Sequence, residues 1–284
     1  MKVLGVVTLY YPPKNVVENI QSYIDGMDGL VVWDNTPQSV PVQFPEEIKE
    51  KIITYRQGDN VGIGKALNYA ASIALEKDYT HLLTMDQDSR FLPDMFNSYI
   101  RVISKDRDTS HYAYVPLING TPLAEEGMKE VQGMIISGSV FPIKAIKQVG
   151  WFNEEFVIDA IDTEYLLRIH RQKGKVMQVP IASLKHELGH PLCKQFFCWR
   201  PVSLNYPPIR TYYIARNFLY LRKNYPEFKR KDLIWTLIWK RPFYILFMEK
   251  RKWQKLRAWV TGVFQGIRGD VNHDAYYKRM NQQK

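Results

Sequence analysis

The sequence predicts an α/β protein: a doubly wound sheet over residues 1–209, followed by a basic, aromatic-rich helical region over residues 210–284. Three observations carry this reading. Apolar, β-rich runs alternate with helically spaced segments through the first 90 residues. Acidic or hydroxyl side chains end several of those runs. The charge then changes abruptly along the chain. Residues 210–284 hold 18 Lys/Arg and 5 Asp/Glu, a balance of +13, whereas residues 1–209 hold 21 and 24, a balance of −3, within an overall +10.

The elements follow in order. Residues 3–10 (VLGVVTLY) form an apolar run closed by Pro12-Pro13, as expected for a strand covered on both faces. Residues 15–26 carry Val16, Ile20, Tyr23 and Ile24 at helical spacing. Residues 30–33 (LVVW) read as a second strand ending in the turn signal Asp34-Asn35-Thr36-Pro37, and residues 52–55 as a third, followed by the Gly-rich stretch 58–64. Residues 66–76 are predicted helical and 81–85 (HLLTM) a fourth strand. Beyond residue 110 the alternation is less regular: strands are predicted around Val115 and over 131–140 and 175–179, a helix over 162–172, and helices from Pro207 onward. No internal repeat or low-complexity linker is present.

Ligands of doubly wound sheets bind beyond the carboxyl ends of the strands. Thr8 and Tyr10, Asp34, and Asp86 and Asp88 all fall there. In Asp86-Gln87-Asp88 two carboxylates two residues apart can divide their labour, one accepting from a ribose hydroxyl, the other reaching Mg²⁺ or Mn²⁺ on a diphosphate. The same pattern also suits an acidic turn before a helix. Asn60, Gly62, Gly64, Lys65 and Asn68 lie where a helix begins, suited to phosphate or to a plain helix start. Residues 156–168 (FVIDAIDTEYLLR) concentrate Asp159, Asp162 and Glu164. These acids can include a general base, or can complement the helix dipole. His186 is expected in a polar loop with His190, as a metal ligand or a surface residue.

Taken together these motifs resemble glycosyltransferase family 2, and more narrowly its rhamnosyltransferase-like members, over roughly residues 1–225. The likeness rests on the first strand with Thr8, Asp34-Asn35, the Asn60/Gly62/Gly64/Ala66/Asn68 series and Asp86-Gln87-Asp88. It continues in Ser137-Gly138, Ile161-Asp162-Thr163-Glu164-Tyr165, His186-Glu187-Leu188-Gly189 and residues 212–221 (YYIARNFLYL). The resemblance implies a GT-A fold, a mixed and mostly parallel sheet with helices on both faces. It also implies an inverting transfer from a nucleotide-diphosphate sugar, by likeness alone dTDP-rhamnose, to a saccharide or lipid-linked saccharide in surface polysaccharide synthesis. By that likeness Thr8, Tyr10, Asp34, Asn60, Gly62, Gly64, Lys65, Asn68, Asp86, Gln87 and Asp88 form the donor side, with Asp34 at the base or ribose and Asp86 near the ribose. Asp88 and His186 hold the divalent metal, and Asp162 is the general base. Ser137, Gly138, Asp159 and Glu164 are expected on the acceptor side. Many family members carry Glu-Asp at the base position, where this chain has Ile161-Asp162.

The basic tail interleaves Lys/Arg clusters with Trp, Phe, Tyr, Leu and Ile over residues 229–259. Such a composition suits a helix lying on an anionic membrane surface, and equally apolar residues buried against the rest of the chain with lysines facing water. The expected location is cytoplasmic, peripheral at the inner face of the cell membrane. No apolar stretch reaches the length of a spanning helix, the first strand lacks signal-peptide features, and Cys193 and Cys198 match no zinc or disulfide framework. A nucleic-acid-binding protein would explain the basic residues but leaves the strand-end acids without a role, so no nucleic-acid partner is expected. A nucleotidyltransferase would need a lysine-rich Gly loop near the N-terminus. A catalytically idle sugar-nucleotide-binding or membrane-associated scaffold protein is the alternative that shared motifs leave open.

Overall fold

A computed structural model gives the fold. Residues 1–38, 40–123, 127–186, 192–193, 202–269 and 271 are described. The chain divides into two compact units, Met1–Glu154 with Arg168–Glu187, and Glu155–Leu167 with Leu188–Lys284.

The first unit is built in chain order from β1 (Val3–Leu9), α1 (Val16–Ile24), β2 (Gly29–Asp34), α2 (Glu46–Lys49), β3 (Ile52–Arg56), α3 (Ile63–Glu76), β4 (His81–Asp86), β5 (Ser89–Phe91), α4 (Met95–Lys105), β6 (His111–Ile118), β7 (Lys129–Val131), β8 (Ser139–Pro142) and α5 (Ile143–Val149). After α6 (Ile161–Arg171) it closes with β9 (Lys175–His186). The strands form one nine-stranded sheet in the order β3-β2-β1-β4-β8-β6-β9-β5, with β7 also on β9. It is mixed, and its longer ladders are parallel: β3, β2, β1 and β4 run together, as do β6 and β9. β1 and β2 are buried along almost their whole length, which is why they read as continuous apolar runs. Val3, Val7 and Leu9 join Ile20, Tyr23, Phe96 and Tyr99 of α1 and α4 in one core cluster. The alternate side chains, Leu4 and Val6, face the other side, where α3 buries its Ala66, Ala70 and Ala74 stripe.

Two expectations change. The single strand predicted over 131–140 is two strands, β7 and β8, separated by a turn at Ser137-Gly138, where Gly138 has φ +80°. The strand predicted to stop at Val179 runs on to His186, so His186 ends a strand instead of lying in a loop. Pro180 hides this continuation, because proline interrupts a ladder. Its missing donor falls within the irregular stretch where the β6–β9 register passes from Val115↔Gln178 to Leu117↔Ser183. His190 and Cys198 lie outside the described residues.

The second unit contains the start of α6, the two-residue pair β10 (Leu192–Cys193) and β11 (Val202–Ser203), and the helices α7 (Pro208–Asn224), α8 (Lys231–Trp235), α9 (Arg241–Phe247) and α10 (Lys252–Arg268). A π-helical turn, Thr236–Lys240, joins α8 to α9. Tyr212 and Tyr213 of α7 cluster with Ala258 of α10, and Leu219 with Leu237. Among the described residues no helix is long and apolar enough to cross a membrane.

Candidate active site

The parallel register sets the strand ends side by side. Thr8 pairs with Asp86 across β1 and β4, and Leu9 pairs with Asp34 across β1 and β2. The acids read from the sequence therefore share one edge of the first unit. The Gln87 side chain ties this edge together: its oxygen accepts from the Tyr10 amide (2.8 Å) and its nitrogen donates to the Tyr10 carbonyl (3.0 Å). Asn19 of α1 donates to the Gln87 carbonyl (2.9 Å). Gln87 thus anchors the turn between the two carboxylates.

Asp86, Asp88 and His186 place one possible ligand atom each within 4.8 Å of one another. Beneath them runs a chain of hydroxyls. The Asp86 amide donates to Ser137 Oγ (3.1 Å), Ser137 donates to Ser89 Oγ (2.8 Å), and Ser89 Oγ lies 2.7 Å from His186 Nδ1. Ser89 and Ser137 are fully buried, so this relay fixes the imidazole from inside the sheet. Asn119 holds the same residue by its backbone, donating to the His186 carbonyl and accepting from its amide. His186 Nδ1 is 3.6 Å from Asp88 Oδ1, an oxygen shielded from solvent. Two carboxylates and an imidazole, backed by a fixed outer shell, suit a divalent cation. Asp86 stands in this group beside the Asp88 and His186 expected from the sequence.

Ser137 and Gly138 are the pair expected on the acceptor side. Both are buried behind the triad, the Ser137 hydroxyl committed to the relay and the Gly138 carbonyl accepting from Tyr99 (3.0 Å). Sequence reasoning missed Ser89 and Asn119 as supports. Both meet partners far along the chain, and nothing local marks either as a support.

At the ends of β2 and β3, Asp34 is buried, accepts from the Thr36 amide (2.8 Å) and faces Arg56 Nε at 3.4 Å. Trp33 stacks on Tyr55 with centroids 4.2 Å apart. Asn60 caps the turn into α3 by accepting from the Gly62 amide (3.0 Å), and Lys65 is half-buried in the first turn of α3. Two members of this series serve packing. The Asn68 side chain donates to the Phe152 carbonyl and Glu154 carboxylate and accepts from the Phe152 amide. A Cβ on Gly64 would stand 2.8 Å from backbone atoms of Asn153 and Glu154. Both therefore dock α3 on the 152–154 loop.

The acids near the start of α6 belong to the second unit and have separate environments. Asp159 forms a fork-like pair with Arg210 (2.9–3.1 Å), and burial raises its carboxyl although Arg210 opposes the shift. Glu164 is buried and accepts from the Tyr225 hydroxyl. Asp162 has its Oδ1 on the Thr163 amide (2.6 Å). Burial raises its carboxyl above the ordinary aspartate range, the Thr163 bonds counter this and the Asp159 charge adds to it. Asp159 and Ala160 just before the helix are both left-handed, with φ +63° and +64°, a costly pair for residues other than glycine. With Asp159 and Glu164 engaged in structural pairs, Asp162 is the acid of this segment whose environment suits proton acceptance.

This sheet, with two carboxylates and a histidine gathered where its strands end, defines the class: the chain has a GT-A architecture. No family model matches the chain. It is similar to the dTDP-rhamnosyl transferase RfbF of Shigella flexneri, with 29% identity over 96% of this chain and 98% of that protein. Among solved structures it resembles S. aureus TarS 1-349, at TM-score 0.53 and 12% identity, covering 100% of this chain and 92% of TarS 1-349. The same TarS segment in complex with UDP-GlcNAc gives a TM-score of 0.55. GalNAc-T7, solved with UDP, GalNAc and Mn²⁺, gives 0.53 at 13% identity over 86% of this chain, which spans half of GalNAc-T7.

Proposed function

We propose that the protein transfers a sugar, rhamnose from dTDP-rhamnose by its similarity to RfbF, to a hydroxyl of a saccharide or lipid-linked saccharide during surface polysaccharide synthesis, with inversion. The observation that carries this is the Asp86/Asp88/His186 group at the strand ends, on its buried Ser89–Ser137 support. Asp34 and the Trp33 neighbourhood receive the nucleoside. Asp88 and His186, with Asp86 beside them, would hold a divalent ion, Mg²⁺ or Mn²⁺, which would supply positive charge to the leaving diphosphate. The Asp162 carboxylate takes the proton of the acceptor hydroxyl as its oxygen bonds to the anomeric carbon. The bond from that carbon to the diphosphate oxygen breaks, and dTDP leaves with the electron pair. The raised proton affinity of Asp162 supports this role.

The test is a donor panel with Mn²⁺ or Mg²⁺, read by thermal shift and by nucleotide release. We expect dTDP-rhamnose to stabilise the fold and to be consumed when a saccharide acceptor is present. Stabilisation without turnover on any acceptor would favour an idle sugar-nucleotide-binding protein, and no stabilisation by any donor would overturn the reading.

Membrane association at the inner face of the cell membrane is part of the same proposal. What supports it is the row Trp235, Trp239, Phe243 and Phe247, at four-residue intervals and 58%, 63%, 37% and 53% exposed, flanked by exposed Lys240, Lys250, Arg251 and Lys252. Ile234, Leu237 and Ile238 of the same segment are instead turned into the helical core. Aromatic rings beside cations suit an anionic interface. Flotation with anionic liposomes should be lost in Trp235→Ser/Trp239→Ser; flotation equal to the parent would refute this.

A further inference from the structure

We propose that Arg90 and Lys185 form a subsite for a phosphate or diphosphate group carried by the acceptor, on the other side of the acidic triad from the nucleoside; this rests on the transferase reading above. The two residues are directly opposite one another in the antiparallel β5–β9 pair, and both are exposed. Like charges in that relation repel, and neither has an ion-pair partner among the described residues. Such a pair is a cost to the sheet that an anionic ligand would offset.

The surroundings indicate where that anion sits. Arg90 and Lys185 line a cleft of about 370 Å³ together with Asp88 and His186 of the triad. Its other polar walls are neutral: Asn15 and Asn19 at α1, and Asn119, which is fixed to the His186 backbone. The single carboxylate in the lining is Asp88, a metal ligand in the proposed mechanism, so the bound ion would reverse its repulsion of an anion. A neighbouring cleft of about 520 Å³ shares Arg90, Leu92 and Lys185 but adds Glu18, Asp25 and Asp94, whose carboxylates would repel an anion placed there. The anion therefore belongs to the first cleft. Thr8, Asp34, Asn60 and Lys65, on the nucleoside side, are not among its lining residues. The cleft meets the donor side only at the metal ligands, which assigns it to the second substrate. Arg90 provides a planar fork for phosphate oxygens and Lys185 a point charge. A saccharide linked to a lipid through a diphosphate has this chemistry, and a neutral saccharide lacks it.

The test uses inorganic pyrophosphate as the probe, titrated calorimetrically into the full chain in EDTA, so that no metal links it to the donor side. We expect binding to the parent, equal or tighter binding to Asp88→Asn, and binding weaker by about tenfold or more in Arg90→Gln/Lys185→Gln. Pyrophosphate that ignores the double substitution, or fails to bind the parent, overturns the subsite. A second titration, dTDP with Mn²⁺, separates the two substrates. Unchanged dTDP affinity in the double variant places the anion on the acceptor, and a parallel loss hands the cations to the donor diphosphate and overturns the assignment. If dTDP binds neither protein, the transferase reading fails on its own, whereas the pyrophosphate result still decides the subsite. Both residues are exposed, so the double variant should keep the parent's melting temperature or exceed it.

Discussion

Removing the Ser89 hydroxyl isolates the buried relay from the ligands it supports. In Ser89→Ala, His186 Nδ1 loses its partner at 2.7 Å and the Ser137 hydroxyl loses its acceptor at 2.8 Å. Both serines are fully buried, so water does not replace what is lost. One orphaned buried hydroxyl costs roughly 1–3 kcal/mol, of the order of 2–5 °C in melting temperature for a chain of this size. The larger consequence is at the metal. An imidazole whose supporting bond is removed loses its fixed orientation, which lowers metal affinity by about 10- to 100-fold. Calorimetric titration of Mn²⁺ into parent and Ser89→Ala, with Ser104→Ala on the exposed face of α4 as control, reads this directly. The stability loss and the affinity loss are separable because titration is done well below the melting temperature. Mn²⁺ affinity within twofold of the parent would refute the relay, and with it the placement of His186 as a ligand.

Three further outcomes follow. Asp162→Asn should abolish transfer and leave dTDP affinity nearly intact. The raised carboxyl makes the folded state favour the proton, a contribution lost as pH rises, so removing the ionisation should not lower the melting temperature at neutral pH; in the parent, the acid limb of kcat/KM should lie above the ordinary aspartate range. Gly64→Ala drives a methyl into the backbone of Asn153 and Glu154 and should cost about 1–3 kcal/mol, read by chemical denaturation. Glu249, buried with Arg241, Lys255 and Ser203, is pushed upward by burial and held below the usual glutamate range by those partners. Glu249→Ala should therefore destabilise by about 3–5 kcal/mol at pH 7, and by progressively less as acid protonates the carboxyl in the parent.

What was legible in the sequence divides along a physical line. β1, β2 and β4 could be read because burial on both faces leaves a continuous apolar run, and their terminal acids because a polar residue at such a boundary needs a reason. Parallel pairing then brings Thr8, Asp34 and Asp86 together without further information. The supports were illegible for the converse reason. Ser89 meets a serine 48 positions away and a histidine 97 positions away, and Asn119 meets His186 across 67. A small polar side chain carries no periodic signal, and its partner is chosen by the sheet order, which places β9 beside β5. Pro180 adds an active disguise, since a residue that ends most strands here occupies a break in register and conceals the segment that delivers His186. The same logic bears on Ser137-Gly138 and on Asn68. Both were placed on the ligand side by family likeness, and in the structure both fix elements that present the acids. Asp86 and Asp88 sit where a strand ends, and polar residues within the sheet and at its helix contacts hold that end in place. A substitution series restricted to the strand-end acids would therefore miss the buried hydroxyls that hold His186, which is why Ser89 is the more informative position to change first.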